Sequence, residues 1–152
     1  MKVLLQRVRQ ASVSIGGEKV AQIGRGLVAF VGIARGDIEE DAQYLVGKTV
    51  NLRLFPDKEG RLNLSALEIN GEVLVVSQFT LLADTRKGRR PSFSQAALPS
   101  EAEELFQRFV ELTKATGLKV ETGRFQQHML VEIQNEGPVT ILLDSKDKPL
   151  KN

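Results

Sequence analysis

Over residues 2–34 the apolar positions come in short runs rich in β-branched residues: Val3 to Val8, Ala11 to Ile15, Lys19 to Ile23 and Leu27 to Ile33. Runs of this length predict strands, and the Gly16-Gly17 pair between two of them predicts a hairpin turn. The period then changes. Asp37-Ile38-Glu39-Glu40 has capping-box spacing, and Ile38, Ala42, Leu45, Val46 and Thr49 fall on one face of the helix it would open. Phe55-Pro56-Asp57 and Glu59-Gly60 punctuate the exit. Asn70-Gly71 turns into Val73-Leu74-Val75-Val76, a buried-strand pattern that runs straight into Ser77 and Gln78. A second capping box, Ser100-Glu101-Ala102-Glu103, precedes the stripe Leu105, Phe106, Phe109 and Leu112, which Gly117 stops. Leu118 to Thr122, Met129 to Ile133 and Val139 to Leu143 supply the closing strands, the last launched from a Gly137-Pro138 turn. Two helices among many strands, with no repeat or linker, predict one α/β domain over residues 1–144. Residues 145–152 form a polar tail predicted to fray.

Composition narrows the function classes only modestly. The chain has 152 residues, 41% of them hydrophobic, which is enough for one domain with a real core. A net charge of +2 and a pI near 9.0 permit nucleic-acid contact without demanding it. Cysteine is absent, which removes disulfides, thiol catalysis and thiolate metal sites. One histidine among scattered carboxylates offers no ligand cluster, so neither metal nor cofactor is expected. The start, Met1 to Arg7, becomes charged too early for a signal peptide, and no stretch approaches the ~20 apolar residues of a membrane helix. A cytoplasmic protein with no membrane association is the expectation.

Few segments invite chemistry. Gly24-Arg25-Gly26-Leu27-Val28-Ala29 formally matches a dinucleotide-binding glycine pattern, but a strand follows the glycines where the motif needs a helix. His128 sits beside Met129 in a strand-like segment with no second histidine, which favours a structural or surface role. Ser77-Gln78-Phe79-Thr80 places hydroxyls and an amide at the mouth of a buried strand, where freed backbone N–H groups can hold an oxyanion. Taken alone, these residues fit a polar strand cap at least as well, and Gly137-Pro138 fits an ordinary turn.

Two separated motifs change this balance. Ser77-Gln78-Phe79-Thr80-Leu81 and Asn135-Glu136-Gly137-Pro138-Val139-Thr140 resemble the signature segments of the D-aminoacyl-tRNA deacylases, and the likeness runs from Leu5-Gln6-Arg7-Val8 to Leu143. The resemblance implies two packed sheets with helices on one side, and a homodimeric hydrolase that frees D-amino acids from tRNA. It also implies catalytic roles for Thr80, Ser77 and Gln78, with Phe79 and Met129 beside the substrate. Gly137 and Pro138 become a cis pair that reaches into the other subunit's pocket as a wall against L-side chains. Glycine has no side chain to meet that wall, so glycyl-tRNA is an expected second substrate. No base stands beside Thr80 in the sequence, so backbone amides and a substrate ribose hydroxyl form the less demanding scheme.

The loop after the first motif carries Arg86, Lys87, Arg89 and Arg90, four basic side chains in five positions, followed by Pro91-Ser92-Phe93. Beside an active site such a loop suits tRNA phosphates, and Arg7 is a further tRNA-binding candidate. No DNA contact is expected. Glutamines at 126 and 127, where family members tend to carry small residues, and Glu136 in place of aspartate depart from the family pattern. Two rivals remain: a tRNA-end-binding module without catalysis, and a small-molecule hydrolase using Thr80 and His128.

Overall fold

A computed structural model describes residues 1–149. Its strands are β1 (Lys2–Ile15), β2 (Glu18–Ile23), β3 (Gly26–Gly32), β4 (Phe55–Pro56), β5 (Leu62–Leu64), β6 (Glu72–Ser77), β7 (Lys119–Thr122) and β8 (Leu130–Asp144). The helices are α1 (Glu39–Asn51) and α2 (Pro99–Lys114). The predicted α/β class holds. In place of two separate sheets, main-chain pairing runs through one six-stranded sheet, ordered β2-β1-β3-β6-β7 with β8 on the other edge of β1, plus the small β4-β5 pair.

The sheet curls because β1 is long enough to serve two neighbours along one edge. Its first half pairs with β3 and its second half with β2, while β8 follows almost its whole length on the other edge. Apolar side chains therefore divide into two clusters. One packs Leu5, Ala29, Val73 and Val75 of the sheet against Leu45, Phe106 and Phe109 of the helices. The other gathers Val13, Ile23, Val28, Leu74 and Val76, with Met129 and Val131 at its border. Gly26 marks where β3 and β6 meet most closely: a Cβ there would lie 1.8 Å from the Glu72 carbonyl oxygen. The glycine pattern at residues 24–29 is thus a packing requirement between parallel strands, not a phosphate loop.

The helix starts differ from the predicted ones, by one residue in α1 and by two in α2. Asp37 is used elsewhere, accepting from the Ala34 N–H at 2.6 Å and from the Met1 ammonium at 2.6 Å. The box passes instead to Ile38 and Asp41, whose carboxylate accepts from the Ile38 N–H at 2.8 Å. In α2 the rigid φ of Pro99 suits the first helical position, which moves Ser100 inside the first turn and leaves it no capping bond. The start of the tail is docked where fraying is predicted. Ser145 is buried, its N–H donates to the Met1 carbonyl at 2.9 Å and its hydroxyl accepts from the Met1 ammonium at 2.8 Å. Leu150 to Asn152 lie outside the described residues.

Candidate active site

The parallel ladder between β3 and β6 ends at Val31 opposite Ser77, and the Gln78 N–H donates a last bond of 2.8 Å to the Val31 carbonyl. Beyond it the chain tightens into a single 3-10 turn, Phe79–Leu82. First-turn amides of any helix have no acceptor within it, so Phe79 and Thr80 present main-chain donors here. The strand end opens onto a cleft of about 600 Å³. Val31, Val76, Ala97, Phe125 and Val131 give it apolar walls, while Ser77, Gln78, Gln126, Gln127 and His128 bring polar groups to it. This volume and balance suit a flat, largely apolar group carrying a few polar atoms.

Four of the sequence-predicted residues meet in the cleft: Ser77, Gln78, Phe79 and Met129. Thr80 stands next to it without lining it, and its hydroxyl accepts from the Gln78 side-chain amide. Arg86, Lys87, Arg89 and Arg90 lie apart on an exposed loop. Asp84 and Ser92 close that loop with reciprocal main-chain bonds of 2.8 and 2.9 Å. Arg86 is turned back on it, donating to the Asp84 carboxylate at 2.9 and 2.6 Å. Those bonds, with one from the Arg86 main-chain N–H, pull the Asp84 carboxyl down to about 2, so the clasp persists throughout neutral and mildly acidic solution.

Gly137 and Pro138 do not line the cleft of their own chain. The peptide between them is cis, as expected, but the predicted turn between two strands is not there: both residues sit within the continuous strand β8. The register shows how. Thr140 faces Gln6 and Asn135 faces Val8, so five register steps of β8 stand opposite two of β1, and the excess is extruded as a bulge. The Asn135 side chain clips its base, accepting from the Val139 N–H at 3.1 Å and donating to the Thr140 hydroxyl at 3.0 Å.

Arg7 corrects an expectation. It is buried, at 8% exposure, and its guanidinium donates to the Glu136 carbonyl at 3.0 Å and to the Leu54 carbonyl at 2.7 Å. A side chain committed beneath the bulge is not placed to meet tRNA phosphate. Its terminal nitrogen would lie 2.7 Å from a Cβ at residue 137, whose φ is +123°. The adjacent Glu136 reaches Arg9 at 3.1 Å.

The cleft also includes residues that carried no signal as a motif. Pro99 and Ala102 of α2, together with Ala96 and Ala97 before it, form part of its lining. Gln126 holds a φ of +59°, unusual for a side chain other than glycine, in the loop that brings His128 to the cleft. Although His128 lines the cleft, no carboxylate lines it alongside to orient the imidazole as a base: the described lining holds no aspartate or glutamate. His128→Ala should therefore retain activity within about tenfold, because removing a true general acid or base costs about a hundredfold or more. A steady-state comparison decides this, and a hundredfold loss would restore the histidine-dependent hydrolase. No group of three or more histidine or acidic side chains able to hold a metal occurs among the described residues, and no helix among them is long and apolar enough to cross a membrane.

The site is thus a strand end in an α/β protein that presents hydroxyl, amide and backbone donors at the rim of an apolar cleft. Comparison with known proteins makes this specific. The D-Tyr-tRNA(Tyr) deacylase profile matches residues 4–144, and the chain belongs to that family. It is 54% identical over 148 residues to the D-aminoacyl-tRNA deacylase of Dehalococcoides mccartyi strain 195, covering 97% of both chains. It is 56% identical over 145 residues to the D-aminoacyl-tRNA deacylase of Halothermothrix orenii, covering 95% of this chain and 97% of that one. Among solved structures, a c-Myc DNA unwinding element binding protein superposes with a TM-score of 0.90 at 40% identity, over 95% of this chain and 98% of that one. A probable eukaryotic D-amino acid tRNA deacylase shares the fold, with a TM-score of 0.81 at 20% identity, over 93% and 97% of the two chains. The protein is accordingly an enzyme, a hydrolase acting on aminoacyl-tRNA.

Proposed function

We propose that the enzyme cleaves the ester of D-aminoacyl-tRNA, and of glycyl-tRNA, while rejecting the L-forms. The observation that carries this reading is the separation of the two motifs. One builds the cleft, whereas the other projects as a rigid main-chain bulge that does not line the cleft of its own chain. In a two-fold dimer the bulge of each protomer enters the cleft of its partner, and each site is shared. The terminal adenosine packs on the apolar walls, with the ester carbonyl at the Ser77–Thr80 end. Attack by water forms a tetrahedral intermediate whose oxyanion is held by the first-turn amides of Phe79 and Thr80. Collapse releases the ribose oxygen, which takes up the proton that the water lost, and the free amino acid departs. The substrate's neighbouring ribose hydroxyl relays that proton, since the cleft offers no carboxylate for the task. Ser77 and the Gln78–Thr80 pair orient the ester. Gly137 and Pro138 stand at the α-carbon, where an L-side chain would meet main chain and a D-side chain points away. Lys87, Arg89 and Arg90 contact acceptor-end phosphates.

The deciding assay compares amino-acid release from matched D- and L-aminoacyl-tRNA. The D-form is expected to be cleaved at rates little affected by side-chain identity, because the wall acts at the α-carbon. Equal cleavage of the L-form would remove the wall from this account. Binding of tRNA without release would leave the binding-module reading in its place.

A further inference from the structure

Two phenylalanines beside the cleft are exposed in a way that a packed domain does not need. Phe79 is 58% exposed and Phe93 is 36% exposed, whereas Phe55, Phe106 and Phe109 are fully buried. The two rings meet edge to face, with centroids 5.0 Å apart and planes 73° apart. An edge-to-face pair of this kind is a favourable aromatic contact, and both side chains keep substantial exposed surface. Their position is defined by the chain. Phe79 belongs to the cleft, and Phe93 directly follows the Asp84–Ser92 closure of the basic loop. Along the chain, a small aromatic platform thus joins the cleft to a loop of exposed cations.

Resting on the reading that the cleft takes the terminal adenosine, we propose that Phe79 and Phe93 form a second subsite that stacks the preceding base of the single-stranded 3′ end. The phosphate joining the two nucleotides would then run toward Lys87, Arg89 and Arg90. Charge favours this occupant over an apolar one, since the loop that leads into Phe93 carries three exposed cations, Lys87, Arg89 and Arg90, while Arg86 is held by Asp84. Stacking on a phenyl face tolerates any base, so the subsite grips the end without reading its sequence.

The chain contains no tryptophan, so Phe93→Trp installs a single reporter. Its emission should be quenched saturably by a single-stranded RNA oligonucleotide ending in CCA. The same oligonucleotide with an abasic residue at the penultimate position should bind at least about fivefold more weakly, the low end of the cost of one lost stack. In kinetics, Phe93→Leu should raise KM for D-aminoacyl-tRNA about 5- to 150-fold, the range expected for one lost stack, and leave KM for D-aminoacyl-adenosine unchanged. Phe93→Tyr should restore the wild-type value. Equal effects on both substrates, or identical binding of the abasic oligonucleotide, would overturn the subsite. Emission of the Phe93→Trp variant that shifts with protein concentration in the absence of RNA would also overturn it, assigning the platform to contact between copies of the chain. If the wild-type enzyme hydrolyses neither substrate, the deacylase reading fails, and the oligonucleotide titration still decides whether the platform stacks a base.

Discussion

Gly137→Val is expected to abolish cleavage of D-aminoacyl-tRNA, with a loss of at least about a hundredfold, the scale associated with misplacing a site element by roughly 1 Å. The new Cβ would fall 2.7 Å from the Arg7 guanidinium and 3.0 Å from the Val139 side chain, at a φ of +123° that L-residues rarely adopt. Neither neighbour can yield easily, since Arg7 is tied to two carbonyls and Val139 is tied to Asn135. The bulge must therefore move. In the shared-site arrangement the damage falls on the partner's cleft and not on the cleft of the mutated chain. Mixing Gly137→Val with a variant disabled at Ser77 and Phe79 should recover about a quarter of the wild-type sites, because half of the randomised dimers carry one intact combination. Mixed dimers that form and stay inactive would place the bulge's action within its own chain.

Arg7→Ala should produce the second large effect, read in stability as well as selectivity. It removes the donor from the Glu136 and Leu54 carbonyls at a buried position, and charged hydrogen bonds of this kind contribute about 1.5–3 kcal/mol each. A net loss of about 3 kcal/mol would lower Tm by roughly 10 °C in a chain of this size. With its support removed, the bulge should also reject L-aminoacyl-tRNA less well, so the ratio of D- to L-cleavage should fall more than the D-rate itself. Arg7→Lys, which keeps the charge but loses the fixed fork of the guanidinium, should lie between wild type and Arg7→Ala. A Tm within about 2 °C of wild type, less than the shift for 1 kcal/mol, together with an unchanged D-to-L ratio would show that the bulge does not depend on Arg7.

Much of the fold was legible because hydrophobic period is a direct image of burial. Val73 to Val76 read as a fully buried strand and is one, and the helical stripes at Leu45 and Phe109 face the core as expected. What escaped was continuity. Exposed Arg9 and Gln10 looked like the end of one strand, yet β1 runs through them where its register with β8 shifts. Gly137-Pro138 looked like a hairpin turn because local sequence cannot report that both flanks pair with the same partner strand. Arg7 escaped through emphasis on its charge. It shares the parity of Val3 and Leu5, both fully buried, and that alternation was the available signal that it points inward. The cleft was legible at the end of β6 and at Met129 but not elsewhere, because α2 and the Arg124–His128 loop reach it through tertiary packing that no local pattern encodes.

The pairing of β1 with β8 has a consequence for how the chain reaches this state. Lys2 faces Asp144, so the contacts that complete the sheet join residues from opposite ends of the domain. Closing so large a loop is entropically costly, and topologies dominated by such distant pairs fold slowly. As the polypeptide leaves the ribosome, β1 can pair with β2 and β3 early, but its other edge stays open until the last strand emerges. An open strand edge is a template for misassociation. The segment that closes this edge is also the one that carries Gly137 and Pro138, so a nascent chain that has not yet sealed its sheet also lacks the bulge.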